Sequence, residues 1–423
     1  MWLVNAHVVD VLAGQVLPGR AVETAPDGTI AQVTAAPPPG LADDQVTDVG
    51  GRWLLPGLIS CHTHLSVVFP FSDTDEAENP ALTAYRSAAR AAAALQAGIT
   101  TIRCVHEQNR ADLLLRQAAA RGWISAPRIL GAGRAVSVRG GHGTGSGCAY
   151  AAGEDEFYAA ALAELAAGAD HVKIFINGGL ASAGERVENP EMTDGEIRGA
   201  VRAADSRDRY VVAHSGEPAA IRQALAQGVR CFEHAYRLDE DTAALLARRG
   251  AYLTPTLCVT RSESWMRANG FAEHTIANAA SAADEHLASI QRAVRAGVTL
   301  LNGTDYPPGD LVDGVPVAVH ELLLMAAAGL TPQQALATVS VNAAALLGLS
   351  GHVGQVRPGY AADLIAVGAN PLADITALRD ISLVVQAGRV VRDRVTSGTV
   401  ASGRVASGTV ASSTVASSTG AAR

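Results

Sequence analysis

The chain is poor in aromatic residues: Phe, Trp and Tyr make up 4% of its 423 residues. A large core must then be filled by Ala, Val and Leu, and 48% hydrophobic residues are enough to do so. Charge is sparse as well, at 17% with a net charge of −8 and no basic run. That pattern excludes the electrostatic footprint of a nucleic-acid binder. No apolar stretch reaches about 18 residues, so no membrane span is expected. The opening Met1-Trp2-Leu3-Val4-Asn5-Ala6-His7 lacks the charged-then-apolar layout of a secretory signal. Five cysteines, Cys61, Cys104, Cys148, Cys231 and Cys258, form no C-x-x-C pair. An odd, scattered set argues against a disulfide framework and for a reducing, cytoplasmic setting. What is left is a small-molecule partner, with homo-oligomer formation open.

What the chain does have is rhythm. Short runs of Val, Ile and Leu alternate with Ala-rich stretches of helical period. The runs fall at 58–64, 99–105, 128–131, 171–176, 210–214, 231–235, 251–256 and 299–305. Helical segments are expected at 80–97, 110–121, 154–168, 193–205, 217–227, 239–249, 275–296 and 317–328, with another over 331–347. Eight βα units in series predict an α/β fold, a parallel (β/α)8 barrel of the TIM type, over 57–351. Outside it, β-prone runs at 3–9, 29–33, 45–49, 362–367 and 381–391 are separated by Gly, Pro and Asp. Their shared texture predicts that residues 1–56 and 352–394 pair into one small β-sandwich, with the barrel inserted between. The remainder, 395–423, repeats Val, Ala, Ser, Thr and Gly with almost no charge, and a disordered tail is expected there.

Polar residues at the ends of these apolar runs carry the chemistry. His62 and His64 stand two apart in a strand, so both imidazoles project from one face. Lys173 interrupts Val172-Lys173-Ile174-Phe175-Ile176, a costly place for an unpaired ammonium. His214, His234 and Asp305 each end a run. Barrel chemistry sits at the C-terminal ends of the strands. The five strands would aim four imidazoles, one amine and one carboxylate at a common point. Any one of them alone reads equally as a satisfied core residue; together they predict metal binding.

The quoted motifs resemble a known superfamily. Pro56-Gly57-Leu58-Ile59-Ser60-Cys61-His62-Thr63-His64 looks like the opening motif of the amidohydrolases. Leu330-Thr331-Pro332-Gln333-Gln334-Ala335, Asn342-Ala343-Ala344, Gly354 and Pro358-Gly359-Tyr360-Ala361-Ala362-Asp363-Leu364 resemble their C-terminal signature. Arg139-Gly140-Gly141-His142-Gly143, Val172-Lys173-Ile174 and Asn177-Gly178-Gly179 are similar to the branch of imidazolonepropionases and Xaa-Pro dipeptidases. The resemblance implies two divalent ions, zinc being the best match to the donors. It gives His62, His64 and Asp305 to the buried ion, and His214 and His234 to the more exposed one. It also implies that Lys173 is N-carboxylated and bridges them. A bridging hydroxide would attack an amide, and Asp305 would carry its proton to the leaving amine. The chain departs from the branch at Ser60, where Asp is frequent, at His214-Ser215-Gly216-Glu217, where His-x-His is frequent, and at Ala235-Tyr236-Arg237, where Gly and a small residue are frequent.

Five further residues are candidates for reading the substrate. His142 lies in a Gly-rich loop and is placed both over the reacting carbonyl and in substrate binding. Tyr236 follows His234 closely, His106 follows the second strand, and Arg139 or Arg237 can pair a carboxylate bidentately. A dipeptide or N-acyl amino acid would use such a cation. Two other enzymes stay open: a mononuclear heterocycle deaminase with Glu217 as proton shuttle, and a lactone or carbamate hydrolase sharing all these ligands.

Overall fold

The computed structural model describes residues 1–180 and 186–395. All eight expected barrel runs form strands: Leu58–Thr63, Ile99–Cys104, Arg128–Gly131, Val172–Phe175, Val211–Ser215, Cys231–His234, Tyr252–Thr254 and Thr299–Leu300. Neighbours pair in parallel from the first strand to the third and from the fourth to the eighth, for example Val212 with Cys231 and Phe232 with Leu253, while the short strand Val136–Ser137 takes the place beside the fourth. The eight expected helices are present, from Pro80–Gln96 to Val317–Ala327. Their starts are chemically marked. Asn79 caps the first through the Ala81 N–H, Thr193 and Glu196 form a capping box, and Pro218 opens the helix after the fifth strand.

The last barrel strand is shorter than its apolar run. Thr299–Leu300 is regular, and the backbone then bends across the first strand. Cys61 N–H donates to the Asn302 carbonyl at 2.7 Å and Thr304 N–H to the His62 carbonyl at 2.9 Å, which closes the barrel. This approach needs Gly303: a Cβ there would stand 2.5 Å from that of His62. The single helix expected over 331–347 is two, Pro332–Thr338 and Val341–Leu346. The break at Val339 frees that residue's carbonyl to accept from Ile59 N–H at 2.9 Å, tying the helix pair to the first strand.

Both chain ends enter one eight-stranded sheet. Trp53–Pro56 joins them, pairing with Trp2–Asp10 on one side and Leu364–Val367 on the other. The strand Gln15–Thr24 lies outside the expected runs; it contains Pro18-Gly19, and irregular register between Leu3 and Val8 accommodates it. The run 381–391 is a hairpin, Ile381–Gln386 and Arg389–Asp393, turned at Ala387-Gly388 with φ of 46° and 73°. Alternation along these strands feeds two cores. Leu54, Leu364, Leu383 and Val385 pack together on one face. Leu55, Ile365, Val367 and Val384 turn the other way, against Ala91, Leu322 and Leu336 of the barrel helices. Among the described residues no helix is long and apolar enough to cross a membrane.

Candidate metal centre

The first strand ends with His62 and His64, both buried. Each ring is held from behind. His62 Nδ1 lies 2.5 Å from Glu233 Oε2, and His64 Nδ1 donates to the His106 carbonyl at 2.8 Å. A carbonyl only accepts, so His64 carries a proton on Nδ1, and its Nε2 faces inward. Both inward nitrogens meet one oxygen: Asp305 Oδ1 is 2.9 Å from His62 Nε2 and 3.1 Å from His64 Nε2. These three donor atoms lie within 4.8 Å of one another.

The second pair of histidines stands beside them. His214 and His234 have ring centroids 4.5 Å apart, and His62 is 5.0 Å from His234. His214 Nε2 donates to the Gly178 carbonyl at 3.3 Å, which leaves Nδ1 as its free lone pair. His234 Nδ1 is held by Thr256 Oγ1 at 2.7 Å. Burial first, then repulsion from neighbouring groups (His142 and Lys173 for His214, and His214 for His234), keeps both rings well below the usual imidazole range, hence neutral, as a metal ligand must be. His234, Thr256 and Asp305 all have positive φ, at 65°, 52° and 62°. Such backbone costs about 1–3 kcal/mol each and clusters at working sites.

Lys173 is the only lysine in the chain. It is fully buried, with Nζ 5.5 Å from the centre of the Phe175 ring. Burial lowers its ammonium to about 8, against the opposing pull of Glu233 and Asp305. His62, His64, Lys173, His214, His234 and Asp305 all line one cavity of about 580 Å³. The chemistry of this donor set fits divalent metal: four imidazoles, a carboxylate and outer partners that fix each ring.

Reading the strands for His, Lys and Asp alone missed the charges that support these ligands. Arg103 and Glu233 are completely buried, joined at 2.6 Å between Nη2 and Oε1. Arg103 Nε also donates to the Cys61 carbonyl, next to His62. Burial pushes the Glu233 carboxyl up, but Arg103 and His62 bring it down to about 2. Glu107 is buried too and accepts from Leu65 and Ser66 N–H at 2.7 and 2.6 Å, fixing the turn after His64. A charge inside the apolar runs 99–105 and 231–235 was the available signal, the same one that singled out Lys173. Ser60, by contrast, accepts only from Thr63 Oγ1 at 3.2 Å, so Glu233 and not residue 60 braces His62.

The expected substrate readers divide. His142 and Tyr236 line the cavity; the His142 ring is 4.1 Å from His214, and Tyr236 stacks on His234 at 5.2 Å. His106 lines it as well, but both nitrogens are engaged. Nδ1 accepts from Ala135 N–H at 3.0 Å, so Nε2 donates to the Ser146 carbonyl at 3.0 Å. It anchors a loop and has no nitrogen to offer a substrate. Neither arginine lines the cavity. Arg139 is exposed, and Arg237 is taken up by Glu188 at 2.5 Å and Glu217 at 3.0 Å. Glu217 is therefore spoken for, and it does not line the cavity. The tail expected over 395–423 lies outside the described residues from 396 onward.

Comparison with known proteins agrees with this geometry. Residues 53–391 match the amidohydrolase family. An ochratoxinase from Aspergillus niger is 28% identical over 366 residues, 77% of this chain and 72% of that one. An imidazolonepropionase from Cupriavidus pinatubonensis is 27% identical over 373 residues, covering 81% and 82%. The crystal structure of a prolidase complexed with N-methylphosphonate-L-proline is 29% identical, with a TM-score of 0.84 over 93% of this chain and 99% of that chain. The family match over most of the sequence, with these relatives and solved structures, makes this chain a member of the amidohydrolase family, an enzyme acting on carbon–nitrogen bonds.

Proposed function

We propose that the chain hydrolyses the amide bond of a dipeptide or N-acyl amino acid with two divalent ions, zinc by preference. His62, His64 and Asp305 would hold one ion, His214 and His234 the other, and a carboxylated Lys173 would lie between them. The observation that carries this reading is the shared Asp305 Oδ1, drawn to two imidazole nitrogens whose opposite sides are already braced. When bound, the ions supply Lewis acidity to the carbonyl and to water. With its amine lowered to about 8, Lys173 has a reactive neutral fraction near neutral pH; that neutral amine would add CO2 and release a proton to solvent, leaving a carbamate anion.

Asp305 moves the proton. Burial pushes its carboxyl up, but the charge and hydrogen bond of His62 and the bond of His64 hold it well below the usual range, so it is ready to accept. It takes a proton from the attacking water and returns it to the nitrogen of the leaving amine as the C–N bond breaks. His142, at the edge of the cavity, is placed to donate to the carbonyl oxygen. Tyr236 covers His234 and faces the substrate. The solved prolidase with its phosphonate-proline ligand supports an amide substrate. Glu217, held by Arg237 outside the cavity, speaks against the deaminase.

The same reading divides the chain at 1–56 with 352–394, 57–351 and 395–423, with the terminal sheet curled into a sandwich around Leu3, Val22, Ile30 and Leu383. Five buried, unpaired thiols support a cytoplasmic setting. Elemental analysis of the purified protein, with a screen of N-acyl amino acids and dipeptides, tests the function. Two ions per chain with amine release support it; one ion with ammonia release from a heterocycle would replace it with the deaminase.

A further inference from the structure

The longest helix among the described residues, Glu273–Ala296, buries a stripe of Ile276, Ala279, Ala283, Ile290 and Ala293, and two polar residues interrupt it, His286 and Ser289. A polar side chain in such a stripe is costly unless it finds partners. Both find them just past the sixth and seventh strands. His286 Nε2 lies 3.0 Å from the Pro255 carbonyl and 3.2 Å from the His234 carbonyl. Carbonyls only accept, so Nε2 carries the proton. Burial, against the pull of those carbonyls, lowers the imidazole to about 4, so Nδ1 is bare and accepts from Thr260 Oγ1 at 3.2 Å. Ser289 Oγ donates to the Ala235 carbonyl at 2.5 Å.

These three carbonyls belong to strained backbone. His234, Ala235 and Thr256 have φ of 65°, 51° and 52°, a region that a β-carbon disfavours. The Pro255 carbonyl is part of the peptide that enters Thr256, and Thr256 Oγ1 in turn holds His234 Nδ1 at 2.7 Å. One imidazole on the helix thus ties the backbone of His234 to that of the residue bracing its ring. Tyr236 adds a further contact: stacked on the His234 ring, it meets the His286 ring edge-on at 4.9 Å and 64°. The other histidine pair is held by different means. His62 stands within the regular strand Leu58–Thr63, and Glu107 fixes the turn after His64. We propose that His286, helped by Ser289, is a positioning residue for the more exposed ion, locking His234 and Thr256 together so that the ligand ring is set before metal arrives. This rests on the two-ion reading and gives the middle of this helix a part in it.

Chelator titration of the metal-loaded protein, with ions per chain counted by elemental analysis, tests it. The wild-type protein gives two release steps, and His214→Ala identifies the step of the more exposed ion by abolishing it. His286→Leu weakens that ion about 10–100-fold, the usual scale for an outer partner, and leaves the other step in place. His286→Gln puts an amide N–H where Nε2 stands and restores most of the loss. Ser289→Ala weakens the same ion to a lesser degree, and it carries the comparison should the leucine variant not fold. Ile290→Val, a loss of packing on the same stripe, lowers the melting temperature and moves neither step. Equal weakening of both ions, no weakening in either His286→Leu or Ser289→Ala, or a glutamine variant no better than leucine overturns the proposal and leaves two-metal hydrolysis standing. A wild-type protein that holds fewer than two ions removes the two-ion reading instead. The metal-free chain labelled with nitrogen-15 histidine then decides. The His234 ring resonances, assigned by their loss in His234→Ala, shift in His286→Leu and return in His286→Gln if His286 sets that ring; resonances that stay in place overturn it.

Discussion

The mouth of the barrel and the terminal sheet bury their strand residues to a similar degree, with opposite contents. In the terminal sheet, Leu54, Leu364, Leu383 and Val385 on one face and Leu55, Ile365, Val367 and Val384 on the other are all apolar. At the mouth, buried strands carry Arg103, Lys173, Glu233 and four histidines around Asp305. Buried charge is costly unless it is paired and hydrogen-bonded. The mouth meets that condition with a continuous network, from Arg103 through Glu233 and His62 to Asp305. The difference teaches where each region's residues act: those of the sheet hold the fold, and those of the mouth spend stability on a site.

Substitutions in each region sharpen the contrast. Asp305→Asn removes the proton carrier and lowers kcat by roughly 10²–10⁴-fold, while thermal unfolding shows a folded protein. Near-normal turnover would move the proton to another group. Glu233→Gln keeps the shape but drops the charge bracing His62, and metal affinity, followed by chelator competition, falls about 10–100-fold. A variant binding metal normally would reduce Glu233 to a structural role.

The other two belong to stability. Leu383→Ala, in the middle of the terminal sheet, costs about 2–5 kcal/mol in denaturant unfolding and leaves kcat unchanged at a temperature where the variant is folded. A large change in kcat there would dissolve the distinction between regions. Glu164 is a buried carboxylate that does not line the cavity, paired with Arg110 at 2.7 Å and Arg134 at 2.7 Å. Burial pushes its carboxyl up, but the two arginines and the Arg134 N–H hold it below the usual range. A depressed carboxyl contributes stability above its unfolded value, near pH 4.5, and that contribution is lost as pH falls below it. Glu164→Gln therefore flattens the acid limb of a plot of melting temperature against pH, with turnover at neutral pH intact. An unchanged acid limb would show that buried charge outside the mouth carries no measurable stability.

The barrel was legible because its strands repeat the same short apolar run and its helices the same period, and all six proposed ligands stand at run ends. Parts that needed the structure break a local rule. Gln15–Thr24 hides a strand behind Pro18-Gly19, and the final strand stops at Leu300 so that Gly303 can pass His62. Val339 divides an otherwise continuous helical pattern to bond Ile59. Arg237 and His106 looked available in sequence because their partners, Glu188 and the Ala135 N–H, are distant along the chain. Arg103 and Glu233 were as visible as Lys173, but carry meaning only once the two strands are seen to face each other.

Because Lys173 is the sole lysine, one labelling experiment reaches the centre of this account. Protein equilibrated with metal and carbon-13 bicarbonate should show a single lysine carbamate carbon by NMR, lost in Lys173→Arg together with metal content and activity. Full activity and two bound ions with no carbamate signal would contradict the bridged pair of ions on which the proposed chemistry depends.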